Sequence, residues 1–285
     1  MRYKIYKYIS FFIAIIFFGG CGYTVPSPQE RMDTLQNLTA SKHLQKRVIK
    51  TDGLDIYSVN KDLSSCKGKT LDVYIEGDGL AWITSDTISD NPTPIDPLGL
   101  KLFLKDYHKC AIYLARPCQY TDDSRCESRY WTNARFSPVV IESYNEALDK
   151  LKKISHASSF RVFGYSGGGA IATILSAKRD DISHLVTICG NLDIQKWADM
   201  HYITPLDESL NPADFAGKLS KIDQIHLIGG DDSIVGTKVF MSYLERFDDK
   251  SHIRYRIFQG YDHHCCWAQD WENILKELDK QEKKR

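Results

Sequence analysis

Short, almost continuous runs of apolar residues alternate along the chain with stretches in which apolar residues recur every three or four positions. The runs are typical of buried strands, and the recurring pattern is typical of helices that cover a sheet. We predict strands over residues 70–77, 110–117, 159–166, 182–190, 224–232 and 252–260. Predicted helices cover residues 96–105, 138–154, 168–178, 236–247 and 267–284. This alternation predicts an α/β fold with a mostly parallel central sheet, helices on both faces, and a functional site where the strands end.

The first 50 residues do not follow this alternation. Three basic residues precede an apolar run of about ten residues, which is the pattern of a secretory signal. The phrase FGGC then ends at Cys21 and resembles the lipobox of bacterial lipoproteins. That resemblance implies that residues 1–20 are removed and that acylated Cys21 holds the protein to a membrane of the bacterial cell envelope, on the periplasmic side. Residues 21–50 are polar and contain two prolines, so we interpret them as a linker to a domain over residues 51–285.

The charge balance limits the class of partner. The chain has 37 acidic and 37 basic residues, so no net positive charge favours binding to nucleic acid. Heptads and short repeats are absent from the sequence, which argues against a coiled coil or a solenoid. We therefore expect a globular domain that acts on a small-molecule or lipid-like substrate.

One strand end carries a candidate nucleophile. The phrase GYSGGG places Ser166 in the pattern G-x-S-x-G, after an apolar strand and before a helix. This pattern puts a serine hydroxyl at the top of a sharp turn, where small neighbours are needed. A phosphate-binding loop would require a lysine after the glycines, but Ala170 and Ile171 follow. We therefore interpret Ser166 as a nucleophile.

Two later strand ends carry groups that could activate Ser166. Asp231 and Asp232 lie in the phrase GGDDSIV, and His263 and His264 lie in GYDHHCCW. A serine hydroxyl becomes a good nucleophile when an imidazole accepts its proton and a carboxylate holds that imidazole in place. The residues alone leave the choice within each pair open.

With these motifs, the chain resembles the α/β-hydrolase fold family. Phrases such as EGDGLAW, LARPCQY, YWTNARFSP, GYSGGGA and DHHCCW are similar to those of a group of bacterial lipoproteins within that class. The family pattern G-x-x-D-x-x-V, placed on residues 229–235, selects Asp232 rather than Asp231. A glycine three residues before the histidine selects His263 rather than His264. The resemblance thus implies a catalytic triad of Ser166, Asp232 and His263.

The same resemblance implies the remaining parts of a serine hydrolase. The oxyanion hole would use the backbone N–H groups of Gly167 and of Asp78, with Gly79 as the alternative to Asp78. Residues 190–220 take the position of a lid. The expected activity is cleavage of an ester-type acyl bond without a cofactor. A peptidase, a thioesterase, an acyltransferase and a non-catalytic envelope lipoprotein remain as alternatives.

Seven cysteines besides Cys21 bear on the oxidation state of the protein. In an α/β hydrolase the strands after Cys66 and Cys110 are neighbours, so the resemblance implies a disulfide between them. Cys189 is expected in the core, and the other four, Cys118, Cys126, Cys265 and Cys266, have several possible pairings. Cys265 and Cys266 are candidates for holding the loop of His263 in place in an oxidising compartment. We expect no metal at HHCC, because the side chains of adjacent residues diverge.

Two arginines near the predicted strand ends have an open interpretation. Arg116 and Arg135 could recognise an anionic group or form a structural ion pair.

Overall fold

The computed structural model describes residues 24–282. Eight strands form one sheet: β1 (Gln45–Ile49), β2 (Ile56–Asn60), β3 (Thr70–Ile75), β4 (Ala111–Leu114), β5 (Ser159–Tyr165), β6 (Ile182–Ile188), β7 (Asp223–Gly229) and β8 (Ile253–Phe258). Their order is β1-β2-β4-β3-β5-β6-β7-β8. Strand β2 is antiparallel to both of its neighbours. The six strands that follow it in this order, β4, β3, β5, β6, β7 and β8, are parallel to one another. The prediction of a mostly parallel sheet is confirmed.

Helices cover both faces of this sheet, as predicted. They are α1 (Pro28–Thr39), α2 (Leu98–Lys105), α3 (Pro138–Ser155), α4 (Gly167–Lys178), α5 (Ile194–His201), α6 (Ala216–Leu219), α7 (Gly236–Glu245) and α8 (Trp267–Glu282). On one face, α3 and α4 pack over Val73 and Val162. On the other face, α2 and α8 pack over Tyr74 and Phe163, which are the next residues along β3 and β5. Successive side chains of a strand point to opposite faces, so both faces of the central strands are buried.

The interpretation of residues 21–50 as a linker is wrong for the part that the structure describes, because α1 and β1 belong to the domain. Ser27 caps α1 by accepting a hydrogen bond from the N–H of Glu30, whose carboxylate accepts one from Ser27 in return. Leu35 is fully buried in the cluster below α2 and α8. Strand β1 adds an antiparallel edge to β2. The predicted signal segment and Cys21 lie outside the described residues.

The sequence pattern missed α1 for a physical reason. Only Arg31, Leu35 and Thr39 of this helix are buried, and two of these three residues are polar. Arg31 is buried because its guanidinium donates to the carbonyl oxygens of Asn91 and Thr93. A helix that docks through such contacts lacks the apolar stripe from which helices are usually predicted. Within residues 24–282, no helix is long and apolar enough to span a bilayer.

Three cysteine pairs are bonded in the structure. The predicted bond between Cys66 and Cys110 is present, and it joins the segments that enter β3 and β4. Cys118 bonds to Cys126, which closes a small loop, and Cys189 is a free, buried thiol. Cys265 bonds to Cys266. Neither residue is a free thiol, and because each takes its own neighbour as its partner, their role in holding the His263 loop stays a prediction.

The segment predicted as a lid, residues 190–220, contains α5, a 3-10 turn at Pro212–Phe215 and α6. Leu192, Ala213, Ala216 and Leu219 are buried in a cluster with side chains of α7. Much of this segment therefore packs against the body of the domain, and its role as a lid stays a prediction.

The docking of α1 can be tested with one substitution. Leu35→Ala should lower the free energy of unfolding by about 2–5 kcal/mol, because it empties a fully enclosed site. Urea unfolding followed by circular dichroism measures this change. The exposed neighbour Gln36 provides the control, since Gln36→Ala should change the free energy of unfolding very little. Equal, negligible effects of both substitutions would mean that the helix is only a linker.

Candidate active site

Ser166 lies in the turn between β5 and α4, at the carboxyl edge of the parallel strands. Its backbone angles are φ 52° and ψ −120°, a conformation that residues other than glycine rarely adopt. The turn is tight on both sides. A Cβ atom at Gly164 would lie 2.6 Å from the carbonyl carbon of Gly168, and one at Gly168 would lie 2.5 Å from the carbonyl oxygen of Glu76. Glycines at these positions allow the strand, the helix and β3 to approach closely enough to present the serine.

The structure brings Ser166, His263 and Asp232 together, although 66 and 31 residues separate them in sequence order (232 − 166 and 263 − 232). His263 Nε2 lies 3.0 Å from Ser166 Oγ, and His263 Nδ1 lies 2.8 Å from Asp232 Oδ2. The other oxygen of Asp232 accepts hydrogen bonds from the N–H groups of Ile234 and Val235. Both His263 and Asp232 are buried.

The competing residues of each pair lie elsewhere. The side chain of Asp231 is exposed, while its N–H bonds to the carbonyl oxygen of Tyr261. His264 is also exposed, and its Nδ1 lies 3.2 Å from the hydroxyl of Tyr165. That hydroxyl donates to the carbonyl oxygen of His263, so Tyr165 holds the backbone of the loop that carries His263. Asp232 and His263, rather than Asp231 and His264, are the members of the two pairs that lie in line with Ser166.

The electrostatics of Asp232 determine how His263 is held. Burial favours the neutral acid, but the hydrogen bond and charge of His263, with two backbone N–H groups, lower the pKa of Asp232 to about 2. The carboxylate is therefore ionised at ordinary pH and accepts a hydrogen bond from Nδ1–H of His263. In this tautomer of the neutral imidazole, Nε2 can accept the proton of Ser166 Oγ. The arrangement is suited to general-base activation of a serine.

Three side chains of this site have potential metal-ligand atoms close together: those of Cys189, Asp232 and His263 all lie within 4.8 Å of one another. Burial, with the nearby charge of Asp232, raises the pKa of the Cys189 thiol well above its ordinary value. Metals bind the thiolate, so this cysteine is a poor ligand as it stands. Both ring nitrogens of His263 already have hydrogen-bond partners.

The loop after β3 lies directly against the serine turn. A Cβ atom at Gly77 would lie 3.4 Å from the Cβ of Ser166, and one at Gly167 would collide with the carboxylate of Asp78. Gly79 packs instead against the carbonyl oxygen of Pro92. Asp78 is thus the residue of this loop that borders Gly167, and the use of their two N–H groups as an oxyanion hole stays a prediction.

Two side chains of this loop, Glu76 and Asp78, have partners that were not predicted from the sequence. The buried carboxylate of Glu76 accepts hydrogen bonds from the N–H groups of Gly77, Gly99 and Leu100, and so joins the loop to the start of α2. Burial raises the pKa of Glu76 despite these bonds. No local sequence pattern indicates that the partners of Glu76 lie at the start of α2.

The second side chain, that of Asp78, lies in an ion cluster. Arg116 Nη1 lies 2.5 Å from one carboxylate oxygen, and Arg135 Nη1 lies 2.8 Å from the other. Burial opposes ionisation of Asp78, but the charges and hydrogen bonds of the two arginines outweigh it and lower the pKa of Asp78. The sequence left these arginines as either an anion site or an ion pair, and the structure contains the ion pair.

Comparisons with known proteins agree with this architecture. No family model matches the chain, and no curated protein matches it. Among solved structures, an esterase from Pyrococcus furiosus superimposes with a TM-score of 0.60 at 13% identity, over 90% of this chain and 96% of that one. A protein of unknown function from Agrobacterium tumefaciens, classed with the alpha/beta hydrolases, gives 0.57 at 15% identity over 85% and 98%. The chain has the α/β-hydrolase fold.

A puromycin-hydrolyzing peptidase from Mycobacterium tuberculosis shares this fold with a TM-score of 0.59 at 16% identity. The match covers 82% of this chain but 38% of the peptidase, so the peptidase has much additional structure. Identities this low establish the α/β-hydrolase fold and leave the reaction to be argued from the site.

The close approach at the serine turn generates a prediction about stability. Gly168→Ala should lower the free energy of unfolding by about 1–3 kcal/mol, because its Cβ would press into the backbone of β3. Gly217, in α6, is the matched control, since a Cβ there meets nothing within 4 Å. Gly217→Ala should be neutral or slightly stabilising, as expected for a helical glycine. Urea unfolding measures both, and an equal effect at the two positions would contradict the packing described here.

Proposed function

We propose that this protein is a serine hydrolase that cleaves an ester-type acyl bond through Ser166, His263 and Asp232. One observation carries the proposal: an uninterrupted line of hydrogen bonds runs from Asp232 through His263 to Ser166, whose backbone is held in a rare conformation. Buried groups in this arrangement can transfer a proton away from the serine as it attacks. The α/β-hydrolase fold supports the proposal, because solved structures with this fold include an esterase.

The mechanism follows from the positions of these atoms. Ser166 Oγ attacks the acyl carbon while His263 Nε2 takes its proton, and Asp232 stabilises the imidazolium that forms. The N–H groups of Gly167 and Asp78 would stabilise the negative charge on the acyl oxygen, by about 3 kcal/mol for each donor. His263 then gives the proton to the leaving alkoxide. Water then attacks the acyl carbon of the acyl-enzyme while His263 takes a proton from it. The bond to Ser166 Oγ breaks, His263 returns the proton to Oγ, and the carboxylic acid is released.

We also propose that the protein acts at the bacterial cell envelope, held to a membrane through acylated Cys21. The FGGC phrase supports this location, and so do the Cys66–Cys110 and Cys118–Cys126 disulfides, since such bonds persist in oxidising compartments. Mass spectrometry of the N-terminal peptide tests the anchor. An acylated Cys21 is the expected result, and an intact chain that begins at Met1 would contradict it.

A peptidase is the second candidate, because one structural neighbour is a puromycin-hydrolyzing peptidase. Amide cleavage uses the same groups but requires protonation of a much poorer leaving group. Matched ester, thioester and amide substrates with one acyl chain separate these activities. Serine peptidases also hydrolyse esters, so the amide decides: an esterase should leave it essentially uncleaved, and efficient cleavage of the amide would favour the peptidase.

The proposal predicts covalent labelling of Ser166 by a fluorophosphonate probe. Wild type should be labelled, and Ser166→Ala should not, because the probe reacts with an activated serine. His263→Ala should slow labelling by about a thousandfold or more, since it removes the general base. In-gel fluorescence over time measures the rates.

His264 is the matched control for the base. It is adjacent to His263 but bonds to Tyr165 rather than to Ser166, so His264→Ala should change the labelling rate by no more than a few-fold. Labelling that persists in Ser166→Ala, or equal losses in the two histidine variants, would overturn the assignment.

A further inference from the structure

The ion cluster beside the serine has more positive than negative charge. Two guanidinium groups, of Arg116 and Arg135, share the single carboxylate of Asp78. Both arginines are almost completely buried, with 4% and 5% of their surfaces exposed. Within the described part of the chain, neither forms an ion pair with another carboxylate. Buried charges in proteins are normally matched, so one positive charge here lacks its counterpart.

The hydrogen bonds of the two arginines differ. Arg116 is enclosed: Nη1 binds Asp78, Nη2 binds the carbonyl oxygen of Arg135, and the guanidinium packs on the ring of Phe136. Arg135 donates from Nε to the carbonyl oxygen of Thr132 and from Nη1 to Asp78. Its Nη2 has no hydrogen-bond partner among residues 24–282. Nε of Arg116 also has no partner, but that atom is fully buried. The unpaired Nη2 of Arg135 is not among the fully buried atoms, so it is the donor that remains open to a ligand.

The position of Arg135 connects it to the active site from two directions. On one side it binds Asp78, whose carboxylate borders Gly167, the residue after the nucleophile. On the other side its guanidinium packs on the ring of Trp197, at 5.6 Å from the ring centroid. Trp197 in turn donates to the carbonyl oxygen of Ile234, two residues after Asp232. Arg135 thus belongs to a set of contacting residues that extends from Gly167, through Asp78 and Trp197, to the loop that carries Asp232.

From this geometry we propose that the active site prefers an ester whose acyl part carries a carboxylate, and that Arg135 binds that carboxylate. The inference rests on the proposed function. An acyl carboxylate would supply the missing negative charge and accept hydrogen bonds from the guanidinium, which suits carboxylates geometrically. The charge belongs to the acyl part because the ion cluster lies on the side of the predicted oxyanion hole: Asp78 and Arg116 border Gly167, and Arg135 binds Asp78. The leaving alkoxide must instead face His263, which protonates it.

Two esters that differ only in charge test this inference. One is the 4-nitrophenyl monoester of adipic acid, and the other is the same molecule with its free carboxylate converted to a methyl ester. Wild type should hydrolyse the charged ester with a kcat/KM roughly tenfold or more above the neutral one, mainly through a lower KM, because Arg135 binds the substrate before reaction. Release of 4-nitrophenolate measures both rates.

Variants assign the preference to Arg135. Arg135→Gln should reduce the ratio of the two kcat/KM values to about one, and Arg135→Lys should retain part of it, since lysine keeps the charge but not the planar fork. Asp78 keeps Arg116 as a partner in both variants. Arg129→Gln is the matched control, because Arg129 lies in the same loop region but pairs on the surface with Glu208; the ratio should then stay at the wild-type value.

Each outcome separates the two proposals. Hydrolysis of both esters that depends on Ser166, with no preference for charge in wild type, would overturn the carboxylate site and leave the hydrolase proposal intact. A preference that is unchanged in folded Arg135→Gln or Arg135→Lys would also overturn it. Absence of Ser166-dependent hydrolysis of either ester would contradict the proposed function itself, and the inference with it.

Discussion

The close contact between the Ser166 turn and the adjacent strands is the constraint on which the rest of the site depends. The N–H of Ser166 donates to the carbonyl oxygen of Ile188 in β6, and its own carbonyl oxygen accepts from Asn191. Gly168 meets the end of β3 with no space for a side chain. These contacts hold the serine backbone in a conformation that it would rarely adopt alone. The strain is local, and the sheet on both sides resists its release.

Two carboxylates near that turn have different roles because their partners differ. Asp232 accepts hydrogen bonds from two backbone N–H groups and from His263, so its charge is directed toward one imidazole. Asp78 is held between two guanidinium groups, so its charge is more than balanced. In the proposed mechanism the first arrangement orients the base, and the second leaves an excess of positive charge close to Gly167. These two surroundings fit the proposal of a site that transfers a proton near Asp232 and binds a carboxylate near Asp78.

The parts of the structure that were predicted are those that leave a local trace in the sequence. Strands buried on both faces give continuous apolar runs, and the Ser166 turn requires glycines at fixed spacing. Helix α1 left no such trace, because Arg31 and Thr39 occupy buried positions. Strands β1 and β2 and helix α5 were also absent from the predicted elements. The contacts of Glu76 with the start of α2, and of Asp78 with Arg135, join distant segments, so no short pattern indicates them. The bond between Cys265 and Cys266 likewise depends on the conformation of one loop.

The most direct measurement compares hydrolysis of a neutral 4-nitrophenyl ester by wild type, Ser166→Ala, His263→Ala and the double variant. If the serine and the histidine act as one unit, each single substitution should reduce kcat by about a thousandfold or more, and the double variant should lose little beyond either single one. Losses that multiply in the double variant would mean that the two residues act independently. Turnover that survives either single substitution unchanged would contradict their assignment as nucleophile and base.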